Sequence, residues 1–490
     1  MSTVAKDTIR QSKVLLFGSS AKQAGRFLHG YFGAFLLGPA LYGLWQGVRL
    51  ILNYGVYINL GTIYGMERQI PFYKGKRDYH RLKLTESVIF VFNILVTSVL
   101  AIAVISAGIS WRSDQNLRIA LIFVGLILWA KLIQAYYTYY MRANQKFELL
   151  SIIGGVDFFC SIISIYLIYQ GGFVGFLSGF LLRGVVTLFV AIRLSNSKLE
   201  LKWDSETFKE NIYFGFPLML GGIVSVLFQS IDRVIILSFL DIEQLGFYSL
   251  GILVIRPLSM IMNSVLNVVF PKMTEAYGSN EHPESIRKYV QKPLRAVGCI
   301  APVIIGFIHL NLFMLVTIFL PKYQAGINAA IILIYGLLFH HLTSVLERFW
   351  VTLGRQYMVL IMVFTGCIIK LVFSLIMLIN GYGINGVALS SSLSYLIIFT
   401  SMSLISFKIL KISRKRMLKD FIILFISVCY ILFVCHEIST HYSVILPDGD
   451  IQITALIKQQ TVFALLSLPL IYLIYKELGL YKIKLFLKIR

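Results

Sequence analysis

The chain contains fourteen stretches of about 20 mostly apolar residues, and no other feature of the sequence limits its fold as strongly. A helix needs about 20 such residues to cross the roughly 30 Å hydrocarbon core of a bilayer. The predicted spans are 14–36, 42–65, 87–109, 119–140, 149–169, 173–192, 211–237, 245–270, 296–319, 327–350, 357–379, 384–407, 421–436 and 459–475. Charged residues make up only 14% of the chain, against about 25% in soluble domains. The sequence therefore predicts an all-α polytopic membrane protein with about 14 transmembrane helices.

The distribution of Lys and Arg orients these spans. Basic residues accumulate in cytoplasmic loops. With a cytoplasmic N-terminus, 32 of the 45 Lys and Arg residues fall in inside segments and nine lie within spans. The outside loops hold only Arg112, Arg118, Lys322 and Lys458. We therefore expect a multi-pass protein of the bacterial cytoplasmic (inner) membrane with both termini in the cytoplasm. The net charge of +22 follows from this topology and requires no nucleic-acid partner.

A faint internal repeat divides the chain. At an offset of 203 residues, Leu37 aligns with Leu240 and Gly43 with Gly246, each pair near the turn after the first helix of a six-helix block. Because the offset contains an even number of spans, the two blocks have the same orientation, as in alternating-access transporters. The predicted organisation is an N-terminal six-helix lobe (1–200), a C-terminal six-helix lobe (201–410), and helices 13 and 14 with a cytoplasmic tail (411–490).

Short motifs spread over both blocks resemble a known family. They are Leu36-Leu37-Gly38-Pro39, Tyr42-Gly43, Gly215-Phe216-Pro217, Ile231-Asp232-Arg233, Leu245-Gly246-Phe247-Tyr248, Phe270-Pro271 and Gly383-Ile384-Asn385-Gly386-Val387-Ala388. Their order and spacing resemble the polysaccharide-export, O-antigen-type flippases of the multidrug/oligosaccharidyl-lipid/polysaccharide exporter superfamily.

The resemblance implies two lobes around a central cavity and the export of an undecaprenyl-pyrophosphate-linked oligosaccharide from the inner to the outer leaflet. The implied partners are this lipid-linked oligosaccharide and membrane lipids, with the polysaccharide polymerase and the chain-length machinery as candidate protein partners. Two alternatives from the same superfamily stay open: a multidrug or cation antiporter and a peptidoglycan-precursor flippase.

Charged residues inside the spans are the candidate site. An ionisable group at the bilayer centre costs at least about 2.5–3.5 kcal/mol on insertion scales, so it usually faces protein or water. The spans contain the basic residues Lys22, Arg26, Arg49, Lys131, Arg183, Arg233, Arg256, Arg348 and Lys370, but only the acids Asp157, Asp232 and Glu347. Such an excess of cations indicates a cavity that receives an anion.

The predicted substrate-binding residues are Lys22, Arg26, Arg49, Lys131, Arg183, Arg256 and Lys370. Lys22 and Arg26 are one helical turn apart and share a face. Arg183 follows Gly175 and Gly179 at four-residue steps, a spacing typical of close helix packing, so it is expected to point into the protein.

Asp157 and Asp232 are the predicted ion-coupling residues, and for Asp157 a structural ion pair is the alternative. Snorkelling to the membrane surface is the alternative for Lys22 and Arg49.

Motifs of other function classes are absent from the sequence. It has no phosphate loop of the G-x-x-x-x-G-K-[ST] type, no H-E-x-x-H and no nucleophile elbow. The five cysteines lie in apolar stretches without metal-ligand spacing. The N-terminal residues are polar and lack a cleavage pattern, so no removable signal peptide is expected. We therefore predict a transporter that is not an enzyme and has no cofactor or metal site.

Overall fold

The computed structural model describes residues 3–197, 200–280, 282–442 and 452–477, and every regular element in these ranges is a helix. The α-helices are Thr3–Gly55 (α1), Thr62–Lys76 (α2), Tyr79–Ser110 (α3), Gln115–Ala143 (α4), Phe147–Ser195 (α5), Ser205–Phe239 (α6), Ile242–Asn280 (α7), Arg287–Phe319 (α8), Ile327–Thr352 (α9), Gln356–Ile379 (α10), Gly383–Ile409 (α11), Arg414–His441 (α12) and Ile453–Glu477 (α13). Within the described residues, eleven helices are long and apolar enough to cross a membrane. The chain is a multi-pass membrane protein.

Two of the longest helices each contain a turn that separates two predicted spans. In α1, Gly38 adopts φ 75° and ψ 176°, and Pro39 follows it. In α5, Gly172 adopts φ 53° and ψ −125°. A glycine reaches a positive φ at little cost, whereas a residue with a Cβ is strained there. We count α1 and α5 as two segments each, and we count α2 as the continuation of the second segment of α1. The helices then correspond to the fourteen predicted spans.

The second predicted span is interrupted, contrary to the expectation of one helix over 42–65. A 3-10 turn runs from Val56 to Asn59, and Leu60 and Gly61 adopt left-handed conformations before α2 begins. The Asn59 carboxamide accepts a hydrogen bond from the Gly61 backbone N–H over 3.0 Å. Apolar residues continue through the turn, so hydrophobicity alone does not reveal the break.

Segments that are predicted on the same membrane side meet in the fold. The Lys146 ammonium donates to the Ser195 carbonyl over 2.9 Å, and the Tyr73 hydroxyl donates to Glu210 over 2.8 Å. Lys411 forms an ion pair with Glu284 at 2.6 Å. All of these residues belong to predicted inside segments. The contacts agree with the alternation of sides that the Lys and Arg distribution predicts.

Contacts divide the chain into two compact units, Met1–Arg233 and Val234–Arg490. In the first unit, α1 and α4 both pack on α5. In the second unit, α9 contacts α7, α8 and α11, and the C-terminal helices α12 and α13 pack on α8. The lobe boundaries at 200 and 410 stay a prediction.

Candidate functional site

Asp157 on α5 is the centre of a group of charged side chains in the first unit. The Arg26 guanidinium donates to Asp157 Oδ2, with Nη2 at 3.2 Å and Nε at 3.3 Å. The Lys22 ammonium lies 3.8 Å from the same oxygen. On the other side, Arg183 Nε donates to Asp157 Oδ1 over 2.8 Å. One carboxylate thus contacts three cations, two from α1 and one from the second half of α5.

Glycines on α1 and α5 bring these charges together. A Cβ on Gly154 would overlap the carbonyl oxygen of Gly18, so the two helix backbones are in direct contact at this point. Two turns further along α1, a Cβ on Gly25 would lie 2.9 Å from the Ser161 hydroxyl. Small residues at helix crossings allow such close approach in membranes. Asp157 lies between Gly154 and Ser161 and is therefore held within reach of α1.

Arg183 is buried, as its glycine spacing predicted, with 4% of its side chain exposed. Its Cζ lies 5.2 Å from the centroid of the Phe180 ring, and the Lys131 ammonium lies 5.1 Å from the same ring. Arg183 Nη1 is buried without a hydrogen-bond partner among the described residues. A buried N–H group without a partner is costly, and an anionic oxygen would satisfy it.

His29 belongs to the same region, although the sequence did not mark it as a site residue. Its Nδ1 is 2.6 Å from the Ser164 hydroxyl, and its ring packs against Phe180 with centroids 4.3 Å apart. His29 Nε2 is buried and has no partner within the described part of the chain. The only hint in the sequence is position, since His29 lies almost one helical turn beyond Arg26.

We call the set of Lys22, Arg26, Asp157 and Arg183 the Asp157 cluster. It has three basic side chains and one carboxylate. Lys131 lies beside it, near the Phe180 ring that Arg183 also contacts, and Arg49 is partly buried in the second half of α1. At an effective dielectric constant of about 20, unit charges 4 Å apart interact by about 4 kcal/mol. The charged nitrogens of Lys22 and Arg26 both contact Asp157 Oδ2, so they lie less than about 7 Å apart and repel each other.

The cluster keeps a net positive charge. Asp157 holds the three cations together through its two oxygens, but a single carboxylate neutralises only one of three positive charges. The side chain of Arg26 is 48% exposed and that of Lys22 is 29% exposed. The surplus charge is therefore accessible to an anionic group.

The other predicted residues are placed elsewhere. Asp232 on α6 accepts the backbone N–H of Arg233 over 2.9 Å, and the Arg233 guanidinium donates to the Gln229 carbonyl. Lys370 on α10 is fully buried in the second unit, with its ammonium 5.8 Å from the Tyr395 ring centroid. The side chain of Arg256 lies outside the described residues.

Metal chemistry has no candidate site in the part of the chain that the structure describes. No group of three or more His, Cys, Asp or Glu side chains is placed to hold a metal ion there.

Comparison with known families decides the affiliation of the chain. Residues 75–328, just over half of the sequence, match the family described as polysaccharide biosynthesis protein. The chain belongs to this family. The sequence-based resemblance is thereby confirmed, and the match spans the region from the end of α2 to the start of α9.

Individual relatives of this polysaccharide biosynthesis protein are transporters and flippases. A putative O-antigen transporter of Shigella flexneri is 19% identical over 369 residues, which cover 73% of this chain and 87% of that protein. The solved structure of the lipid II flippase MurJ, in an inward closed conformation, covers 96% of this chain and 99% of its own length, with a TM-score of 0.68 and 17% identity. An inward-facing MATE-family multidrug resistance transporter of the MOP superfamily covers 81% of this chain and 99% of its own, with a TM-score of 0.63 and 15% identity.

These similarities confirm the predicted fold class, because the chain has the same all-helical fold as MOP-superfamily transporters. The relative and the solved structures named here are transporters and flippases rather than enzymes, in agreement with the prediction of a transporter.

Proposed function

We propose that the protein is a flippase that moves an undecaprenyl-pyrophosphate-linked oligosaccharide from the inner to the outer leaflet of the bacterial cytoplasmic membrane by alternating access. The observation that carries this proposal is the surplus of positive charge in the Asp157 cluster. Membership of the polysaccharide biosynthesis family and similarity to an O-antigen transporter support the substrate class.

The pyrophosphate of such a substrate must enter a region of low dielectric constant, where an unpaired charge is expensive. Arginine offers several N–H donors in a fixed geometry that matches phosphate oxygens. Half-exposed Arg26 would meet the phosphate first, with Lys22 beside it. Arg183 Nη1, which has no hydrogen-bond partner among the described residues, would donate once the head group has entered, while the polyprenyl tail stays in lipid.

Asp157 then has the role of holding Arg26 and Arg183 in position without neutralising the cluster. Its three ion pairs support this structural role. Coupling of transport to an ion at Asp157 or Asp232 stays a prediction, as do the cytoplasmic location of both termini and the contribution of Arg49, Lys131, Arg256 and Lys370 to substrate binding.

The positive charge of the cluster also distinguishes between the two alternative functions, a carrier of cationic drugs and a peptidoglycan-precursor flippase. A carrier of cationic drugs would require acidic groups in its binding region, and this cluster has the opposite sign. A peptidoglycan-precursor flippase would use the same anion-binding chemistry, so substrate identity separates the two flippases in the test.

The test is complementation in a host that lacks its own copy of the gene. Wild-type protein, Arg26→Ala, Arg26→Lys and the control Arg118→Ala are compared for surface polysaccharide, for accumulated lipid-linked precursor and for protein level in the membrane. Arg118 is an exposed residue near the start of α4, so its loss removes one positive charge outside the cluster.

We expect Arg26→Ala to block export and to raise the precursor level while the protein stays in the membrane. Arg26→Lys keeps part of the export, and Arg118→Ala behaves like wild type. Normal export by a Lys22→Ala/Arg26→Ala double variant would contradict the proposal. Accumulation of a peptidoglycan precursor instead of a polysaccharide precursor would assign the protein to the alternative flippase.

A further inference from the structure

A pocket in the second unit lies between α8, α9, α11 and α12, away from the Asp157 cluster in sequence and composition. The pocket is partly open, and the empty space of about 530 Å³ in and around it includes the solvent at its mouth. Its lining residues are Gln291, Leu294, Arg295, Gly298, Cys299, Leu342, Phe399, Phe407, Asp420, Phe421, Ile423 and Leu424. The lining is therefore apolar except for one amide and one ion pair.

The ion pair marks the accessible side of this pocket. Arg295 donates to Asp420 Oδ1 from Nη2 over 2.7 Å and from Nε over 2.9 Å, and both side chains are partly exposed. Leu294, Gly298 and Leu342 are buried on the inner side, and so are Phe399 and Phe407. Because Arg295 and Asp420 compensate each other, the pocket wall itself is close to neutral.

Two polar side chains on α8 have donors without partners. Gln291 lines the pocket and is 6% exposed, and its Nε2 is buried with no hydrogen-bond partner in the described residues. Arg287 lies one turn earlier on the same helix face, and its buried Nε is likewise without a partner there. Buried donors are normally satisfied. These two indicate a ligand that supplies oxygen acceptors at this end of the pocket.

The charge around this end is strongly positive. The first turns of α8 and α12 contain Arg287, Lys288, Lys292, Arg414, Lys415, Arg416 and Lys419. Arg416 lies one turn before Asp420, so it falls on the pocket face of α12. Basic pockets between transmembrane helices near the cytoplasmic surface are sites for anionic lipid head groups.

We propose that this pocket binds one anionic glycerophospholipid of the bilayer. The start of one acyl chain packs in the apolar part of the pocket beside the Phe421 ring. Gln291 donates to an ester or phosphate oxygen, and Arg287 and Arg416 pair with the phosphate.

The test measures lipid binding to the delipidated full-length protein in detergent by native mass spectrometry. The probes are phosphatidylglycerol and phosphatidylcholine with identical acyl chains. The variants are Gln291→Leu and Arg287→Gln/Arg416→Gln. The matched control is Lys322→Gln/Arg355→Gln, which removes the same charge from exposed residues that do not line the pocket. The melting temperature of each delipidated variant verifies that it is folded.

We expect wild-type protein to bind one phosphatidylglycerol about tenfold more tightly than phosphatidylcholine. A Lys or Arg near an anionic lipid surface contributes enough for up to about a tenfold change in affinity. Arg287→Gln/Arg416→Gln therefore weakens phosphatidylglycerol binding about tenfold or more. Gln291→Leu weakens it severalfold, and the control changes it less than twofold.

Three outcomes would overturn the proposal. Equal binding of the two phospholipids would mean that the head-group charge is not recognised. If the control weakens phosphatidylglycerol binding as much as Arg287→Gln/Arg416→Gln does, the positive charge acts through the whole surface rather than at the pocket. Displacement of bound phosphatidylglycerol by a lower concentration of undecaprenyl phosphate would assign the pocket to the transported lipid class.

Discussion

Asp157 and Asp420 both accept hydrogen bonds from an arginine on a membrane helix, but the two ion pairs differ in how completely charge is compensated. Asp420 contacts Arg295, and the pair lies beside an apolar pocket. Asp157 contacts Arg183, Arg26 and Lys22 and leaves the group positive. A balanced pair stabilises the contact between two helices. A group with excess positive charge remains unsatisfied until an anion arrives, which is why we assign transport to the Asp157 cluster.

Removal of the central carboxylate should have the largest effect on stability. In Asp157→Ala, the buried Arg183 keeps its charge and loses its partner, and breaking a buried ion pair in this way costs about 3–5 kcal/mol. In Asp420→Ala the loss should be smaller, about 1–2 kcal/mol, because both partners are partly exposed. Unfolding of the purified proteins in detergent, monitored by tryptophan fluorescence, measures both. A larger loss for Asp420→Ala would reverse the comparison.

Helix packing at the cluster should have an intermediate effect. In Gly154→Ala, the added methyl group overlaps the Gly18 carbonyl, so α1 and α5 must separate. Overpacking typically costs about 1–3 kcal/mol.

Gly155→Ala is the matched control, because a Cβ there meets nothing within 4 Å. Thermal unfolding should show a lower melting temperature for Gly154→Ala and no decrease for Gly155→Ala. Equal melting temperatures of the two variants would show that the close contact of α1 and α5 is not required.

Removal of one surplus cation should have the smallest effect on stability but a clear effect on function. Lys22 is 3.8 Å from Asp157 and partly exposed, so its ion pair contributes little, and its loss relieves repulsion with Arg26. We expect Lys22→Gln to change the free energy of unfolding by less than about 1 kcal/mol and to reduce export in the complementation assay. Strong destabilisation with normal export would mean that Lys22 is structural.

Periodicity, charge and turn residues predicted the helix count and the burial of Arg183 behind Gly175 and Gly179. These properties depend on local sequence and on the cost of placing charge in lipid. The turn at Gly38 lies in the gap between the first two predicted spans, 14–36 and 42–65.

The assembly of the cluster was beyond sequence reasoning, because Lys22 and Asp157 meet only where Gly18 and Gly154 let two distant helices touch. The break at residues 56–61 was missed because its side chains are as apolar as those of a continuous helix. The predicted spans begin at 296 and 421 and therefore leave Arg295 and Asp420 in inside segments. In the structure, α8 and α12 begin earlier, at Arg287 and Arg414, and the two side chains form an ion pair.

The most direct test of the account measures whether the Asp157 cluster recognises a lipid pyrophosphate. Binding of undecaprenyl pyrophosphate and of uncharged undecaprenol to the purified protein is compared for wild type and for Lys22→Ala/Arg26→Ala. We expect wild type to prefer the pyrophosphate by at least about tenfold, the effect of one good charge-assisted interaction, and the double variant to lose this preference. Equal binding of the two lipids by wild type, or an unchanged preference in the double variant, would contradict the account.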